Sequence, residues 1–131
     1  MEGVSRGAAE AGGRVLAVTA RVFGREANPW VAEVIGVETW RDRLFKLIEL
    51  GDAYVALPGG TGTLAEIAVV WEMLNKGVLD PRPFVLLGEF WRPVLQPVQA
   101  IENQGSSWLE ASQRLVQFAG DPAEVSRLLR P

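Results

Sequence analysis

The sequence predicts an α/β fold, a parallel sheet with helices on both faces, and three observations carry the prediction. Short apolar runs rich in strand formers alternate along the chain with stretches whose apolar residues recur at helical spacing. One such junction, Pro58-Gly59-Gly60-Thr61-Gly62-Thr63-Leu64-Ala65-Glu66, passes from a strand-like run to a helical pattern through a turn that is nearly all backbone. The 131 residues, 48% hydrophobic, suffice for one core, so a single domain spanning 1–131 is expected.

Glu2 to Gly12 reads as a small-residue helix through Val4, Ala8, Ala9 and Ala11, closed by Gly12-Gly13, and Arg14 to Thr19 reads as the strand after it. Arg21 to Pro29 is polar and irregular, a loop on the ligand side of the sheet, and a short strand follows around Val34–Val37. Thr39 is the expected N-cap of a helix reaching Leu50. Trp40, Leu44, Leu47, Ile48 and Leu50 are read as its apolar stripe, with Arg43 projecting inside it. Ala53–Leu57 has the composition of a buried parallel strand.

In the helix after the glycines, Glu66 projects among Ile67, Val69, Val70, Met73 and Leu74. A charge in either stripe needs a partner. Pro81-Arg82-Pro83 forms a rigid connection to the strand Phe84–Leu87, and the helix from Phe90 should be kinked or shortened by Pro97. Leu115–Ala119 is the last strand, and Asp121-Pro122 supplies an N-cap and first-turn proline for a terminal helix through Leu129. Trp40 and Trp71 are read as core rather than as stacking platforms, while Trp108 falls outside any pattern.

Composition excludes several chemistries. With no Cys and no His there is no thiolate nucleophile, Ser-His-Asp triad, usual zinc site or disulfide. A net charge of −3 without a basic run argues against nucleic acid as a partner. No apolar run is long enough to span a bilayer, and the N-terminus lacks the regions of a signal peptide, so a cytoplasmic location is expected. Only Lys46 and Lys76 stand against eleven arginines, which favours fixed-charge anion contacts over Schiff-base chemistry.

The glycine turn sits where a parallel-sheet protein binds ligands, at the carboxyl end of a strand and the start of a helix. Free N–H groups and the positive end of the helix dipole favour an anion there, and Gly59, Gly60 and Gly62 leave its approach open. The pattern is neither GxGxxG nor a Walker loop. A tight turn without any ligand is the plainer alternative.

Pro58 to Glu66 matches PGGxGTxxE, and in this the chain resembles the Lonely Guy (LOG) family, often labelled "possible lysine decarboxylase". The similarity extends through Met1-Glu2, Arg6-Gly7-Ala8, Gly12-Gly13, Val15–Val18 and Asp52–Leu57, weakening after Gly88. The resemblance implies a Rossmann-like fold, a homodimer, and a phosphoribohydrolase that cleaves the N-glycosidic bond of nucleoside 5′-monophosphates, AMP or a cytokinin riboside monophosphate, to free base and ribose 5-phosphate. It places the catalytic pair on Arg43 and Glu66 and the substrate phosphate on Gly59, Gly60, Thr61, Gly62 and Thr63. It calls for no cofactor and no metal.

Departures from the family pattern bear on substrate range: Arg43 is followed by Leu44 rather than Lys, and Ala65 replaces an acidic residue. Relatives usually begin with a strand, a helix and a second strand ahead of the Met-Glu aligned with Met1-Glu2, so the fold is expected to lack that segment. An exposed sheet edge would then favour pairing with another chain.

Glu66 has a purely structural reading, since Thr63-Leu64-Ala65-Glu66 also spells a capping box with Thr63 as N-cap. Arg43 could likewise do no more than bury its stem or pair with Glu66. The rival function is a non-catalytic nucleotide or molybdenum-cofactor carrier; a ligand-free dimer fragment is a third. Lysine decarboxylation is set aside because Lys46 projects opposite the apolar stripe and Lys76 lies at a helix end.

Overall fold

The computed structural model describes residues 1–24, 26–102 and 115–130. Parallel strands with helices around them give the expected Rossmann-like α/β arrangement, and the contacts divide it into two units, Met1–Leu50 and Gly51–Pro131.

In the first unit α1 (Glu2–Glu10) ends as expected at Gly12, whose φ of 80° only glycine adopts readily. The Gly13 and Gly12 N–H groups return to the Ala8 and Ala9 carbonyls at 2.8 and 2.9 Å. β1 (Leu16–Ala20) and β2 (Glu33–Val37) pair in parallel over five residues, Leu16↔Glu33 to Ala20↔Val37. The polar connection holds one 3₁₀ turn, Arg21–Phe23, stopped by Gly24 at φ 56°.

α2 (Trp40–Leu50) packs on β1. Thr39 caps it reciprocally: its Oγ1 accepts the Asp42 N–H at 3.1 Å and the Asp42 carboxylate accepts the Thr39 N–H at 3.2 Å. Leu44 and Ile48 are buried and Leu47 half-buried, but the other two members of the expected stripe are exposed. Leu50 is exposed because two residues past Ile48 turn the helix through about 200°, to the opposite face. Trp40 shares the angle of Leu44 but sits in the opening turn, 44% exposed, so it is not core.

In the second unit β3 (Tyr54–Ala56), β4 (Phe84–Leu87) and β5 (Gln117–Ala119) form a parallel sheet in that order, with registers Tyr54↔Phe84 to Ala56↔Leu86 and Val85↔Gln117 to Leu87↔Ala119. The central strand is covered on both sides: Phe84, Val85 and Leu86 are 2%, 0% and 0% exposed. β3 corrects the expectation of full burial. It lies at the edge of this sheet, with Ala56 buried but Val55 43% exposed.

α3 (Thr61–Asn75) fills the core with Ile67, Val70, Trp71 and Leu74, so Trp71 is core as expected. α4 (Arg92–Glu102) runs through Pro97 without being cut short, burying Leu95. α5 (Pro122–Leu128) begins as read, with the Asp121 carboxylate accepting the Glu124 N–H at 2.8 Å. At the amino ends of the strands Arg82 staples the proline-rich connection to the start of β3, its Nη1 donating to the Gly51 carbonyl at 2.5 Å and its Nε to the Asp80 carbonyl at 3.2 Å. The carboxyl ends remain for the candidate site. Trp108 lies outside the described residues.

Candidate active site

The turn after β3 delivers the chain directly into α3. Gly60 is the N-cap, extended at φ −96° and ψ −158°, and its carbonyl accepts the first helical bond from the Leu64 N–H at 3.0 Å. No side chain caps this end and no acidic residue occupies the first turn. The N–H groups of Thr61, Gly62 and Thr63 precede any intrahelical acceptor, so three donors and the dipole's positive end converge on one place. Pro58 to Gly62 are exposed and Thr63 is half-buried.

The three glycines differ in what requires them. A Cβ on Gly59 would lie 2.3 Å from the Thr63 Oγ1 and 2.9 Å from its Cβ, so the packed turn itself excludes a side chain. A Cβ on Gly60 or Gly62 would meet nothing within 4 Å, and neither residue has a positive φ. Glycine in a helix costs about 0.5–1 kcal/mol relative to alanine, and neither steric crowding nor backbone strain explains that cost at Gly62.

Glu66 is the sixth residue of α3, half-buried beside Ile67 and Val70. With Gly60 as N-cap, Thr63 lies inside the helix, and the capping-box reading of Thr63 and Glu66 is overturned. The helix starts three residues earlier than that reading has it, at Thr61, with Gly60 extended before it. Gly59, Gly60, Thr61, Gly62, Thr63 and Glu66 thus all lie at one helix entry and its second turn.

Arg43 belongs to the first unit. It projects half-buried from α2, and its Nε donates to the Val18 carbonyl of β1 at 3.0 Å, which fixes the plane of the guanidinium. Also in that unit, an open cavity of about 370 Å³ lies at the carboxyl ends of β1 and β2, lined by Thr19, Arg21, Glu26, Gly36, Val37 and Glu38. Arg21 and Glu38 pair there at 2.9 Å. The loop read as lying on the ligand side contributes Arg21, Gly24 and Glu26.

Both lysines are engaged on helix surfaces, Lys46 with Glu49 at 2.9 Å and Lys76 with Glu72 at 3.8 Å. One residue that sequence reading missed bears on the turn: the buried Trp91 donates its indole N–H to the carbonyl of Leu57, immediately before Pro58, at 3.0 Å. No periodic or motif signal marks it, because the contact joins residues 34 apart.

A family profile described as "possible lysine decarboxylase" matches residues 1–129. The chain is 33% identical over 107 residues, 78% of its length, to a cytokinin riboside 5′-monophosphate phosphoribohydrolase of Rhodococcoides fascians. It is 36% identical over 86 residues, 64% of its length, to cytokinin riboside 5′-monophosphate phosphoribohydrolase LOG5 of Arabidopsis thaliana. It belongs to this family, the Lonely Guy family that the motif at Pro58–Glu66 resembles. The matches span 54% of the bacterial relative's length and 37% of the plant relative's.

Proposed function

We propose that the protein is a phosphoribohydrolase that cuts the N-glycosidic bond of nucleoside 5′-monophosphates, AMP or a cytokinin riboside monophosphate, giving free base and ribose 5-phosphate. The observation that carries this is the entry of α3, where Gly60 and Gly62 keep side chains away from three unpaired helix-start donors although neither packing nor backbone geometry asks for glycine. A dianionic 5′-phosphate suits that place, with Gly59 to Thr63 around it.

Glu66, one turn further along α3, is assigned the chemistry. Its carboxylate takes a proton from the attacking water or stabilises positive charge at C1′, as carboxylates do in glycoside cleavage. The water oxygen bonds to C1′, the C1′–N bond breaks, and the departing base takes up a proton. Arg43 is assigned the second catalytic role, contact with the nucleotide, for which its anchored guanidinium fork is suited. Lysine decarboxylation finds no support among the lysines, since both lie in ion pairs along helix surfaces. Among the described residues no helix is long and apolar enough to cross a membrane. A cytoplasmic homodimer is part of the proposal.

The deciding experiment incubates the chain with AMP, a cytokinin riboside monophosphate and the matching nucleosides, and measures base and ribose 5-phosphate. Release from the monophosphates but not the nucleosides is expected. AMP binding without release would replace the enzyme by a non-catalytic nucleotide carrier, and absence of binding would remove both.

A further inference from the structure

We propose that Trp91 is a positioning residue for the phosphate turn, an inference that rests on the assignment of Gly59–Thr63 to the substrate phosphate. The β3–β4 register ends at Ala56↔Leu86, one residue before the turn, so sheet pairing does not orient Leu57. Pro58 has no N–H with which to tie the segment down. The indole of Trp91 takes over that role, donating to the Leu57 carbonyl at 3.0 Å from a side chain only 3% exposed.

The donor is itself held in place. Phe90 meets the indole edge-on, with ring centroids 4.9 Å apart and planes at 89°. Arg92 lies over the Phe118 ring at 4.4 Å and pairs with Glu89 at 2.5 Å, and the Gly88 N–H donates to the Ala119 carbonyl at 2.8 Å. The segment following β4 is therefore anchored on β5 and reaches across to the end of β3. Fixing the Leu57 carbonyl fixes the direction in which Pro58 and Gly59 leave the sheet, and hence where the donors at the start of α3 aim. Trp91 touches the turn and not the substrate.

The test compares Trp91→Phe, which keeps an aromatic ring but removes the donor, with Leu95→Val, a core change in α4, the helix that Trp91 precedes. Affinities for AMP and adenosine and the melting temperature are measured for each. Trp91→Phe should lower the AMP-to-adenosine affinity ratio about three- to tenfold, the effect of one lost hydrogen bond on alignment, with adenosine binding unchanged. Leu95→Val should lower the melting temperature and leave the ratio alone.

A wild-type ratio near one would overturn the phosphate site and Trp91's role with it. A large wild-type ratio that survives Trp91→Phe would overturn only the role of Trp91, leaving it as core packing. Should Trp91→Phe not fold, Phe90→Ala decides: Phe90 is 54% exposed, so its loss spares the core while loosening the indole. A fall of about twofold in the ratio supports the proposal, and an unchanged ratio overturns it.

Discussion

The two ends of α3 are built on opposite plans. At the C-terminus the Val78 N–H returns to the Met73 carbonyl at 2.8 Å and the Gly77 N–H to the Leu74 carbonyl at 3.2 Å, the paired bonds of a Schellman motif. Gly77 is there because the motif needs its φ of 66°. At the N-terminus no side-chain cap is made, and two glycines occupy positions that any small residue could adopt. Side chains cap α2, with Thr39 and Asp42, and α5, with Asp121, whereas α1 also starts without one. A helix sealed at one end and left with free donors at the other has its binding capacity at the open end, and under the proposed function the glycines there answer to a ligand rather than to the fold.

The largest expected effect probes what lies beyond the open end. Glu66→Gln keeps the shape of the side chain and removes the carboxylate, so base release from AMP should fall by about a hundredfold or more while AMP affinity changes little. Gly60 and not Glu66 stands at the helix cap, and glutamine keeps the side-chain shape, so the melting temperature should change little. Arg43→Lys should act alike, because an ammonium does not reproduce the guanidinium fork. A Glu66→Gln variant that melts much earlier yet releases adenine at the wild-type rate would make the carboxylate a structural partner.

Next comes the open end itself. Gly62→Val places a branched side chain among the donors of Thr61 to Thr63, in space that is otherwise empty. AMP should then bind no better than adenosine, while the fold, having room for the side chain, survives. Calorimetric titration of both ligands, with circular dichroism to confirm folding, measures this. Undiminished AMP binding would show that the phosphate lies elsewhere.

Much of this contrast can be read from the sequence and part of it cannot. That a strand runs through glycines into a helix follows from local composition, since Ala53–Leu57 and the spacing of Val70 and Leu74 are visible without tertiary contacts. Which glycines the fold needs is not visible. Gly59 looks like its neighbours until the Thr63 side chain is seen against it. The cap is ambiguous in sequence because Thr63-Leu64-Ala65-Glu66 has the capping-box spacing, whereas the N-cap is Gly60, three residues earlier. Trp91 was illegible because its hydrogen bond depends on how β3 and β4 end side by side.

At the sealed end the comparison predicts a stability effect without a binding effect. Gly77→Ala forces a side chain into the left-handed region, at about 1–2 kcal/mol, although a Cβ there meets no neighbour. The melting temperature should drop by several degrees, with AMP affinity and base release per folded molecule unchanged. Loss of AMP binding below the transition would mean that the two ends of α3 are not independent.

The smallest effect is the most discriminating, because its sign separates the two explanations of the open end. Gly62→Ala introduces a better helix former at a position with ordinary backbone angles and no neighbour within 4 Å of the new Cβ. If the glycine served the turn, alanine would destabilise the protein. If it serves the ligand, alanine should stabilise the free protein by about 0.5 kcal/mol, the lower end of the glycine-to-alanine range because the site is in the first turn. That is a rise of about 1–2 °C in melting temperature for a chain of this size. AMP affinity should fall at the same time, since the methyl group enters the space through which a phosphate reaches the N–H groups. Paired thermal melts with and without saturating AMP make the crossing visible: the variant should melt above wild type without ligand and below it with ligand. A Gly62→Ala protein less stable than wild type in both conditions would assign the glycine to the fold, and with it the observation that places the phosphate at this helix would be lost.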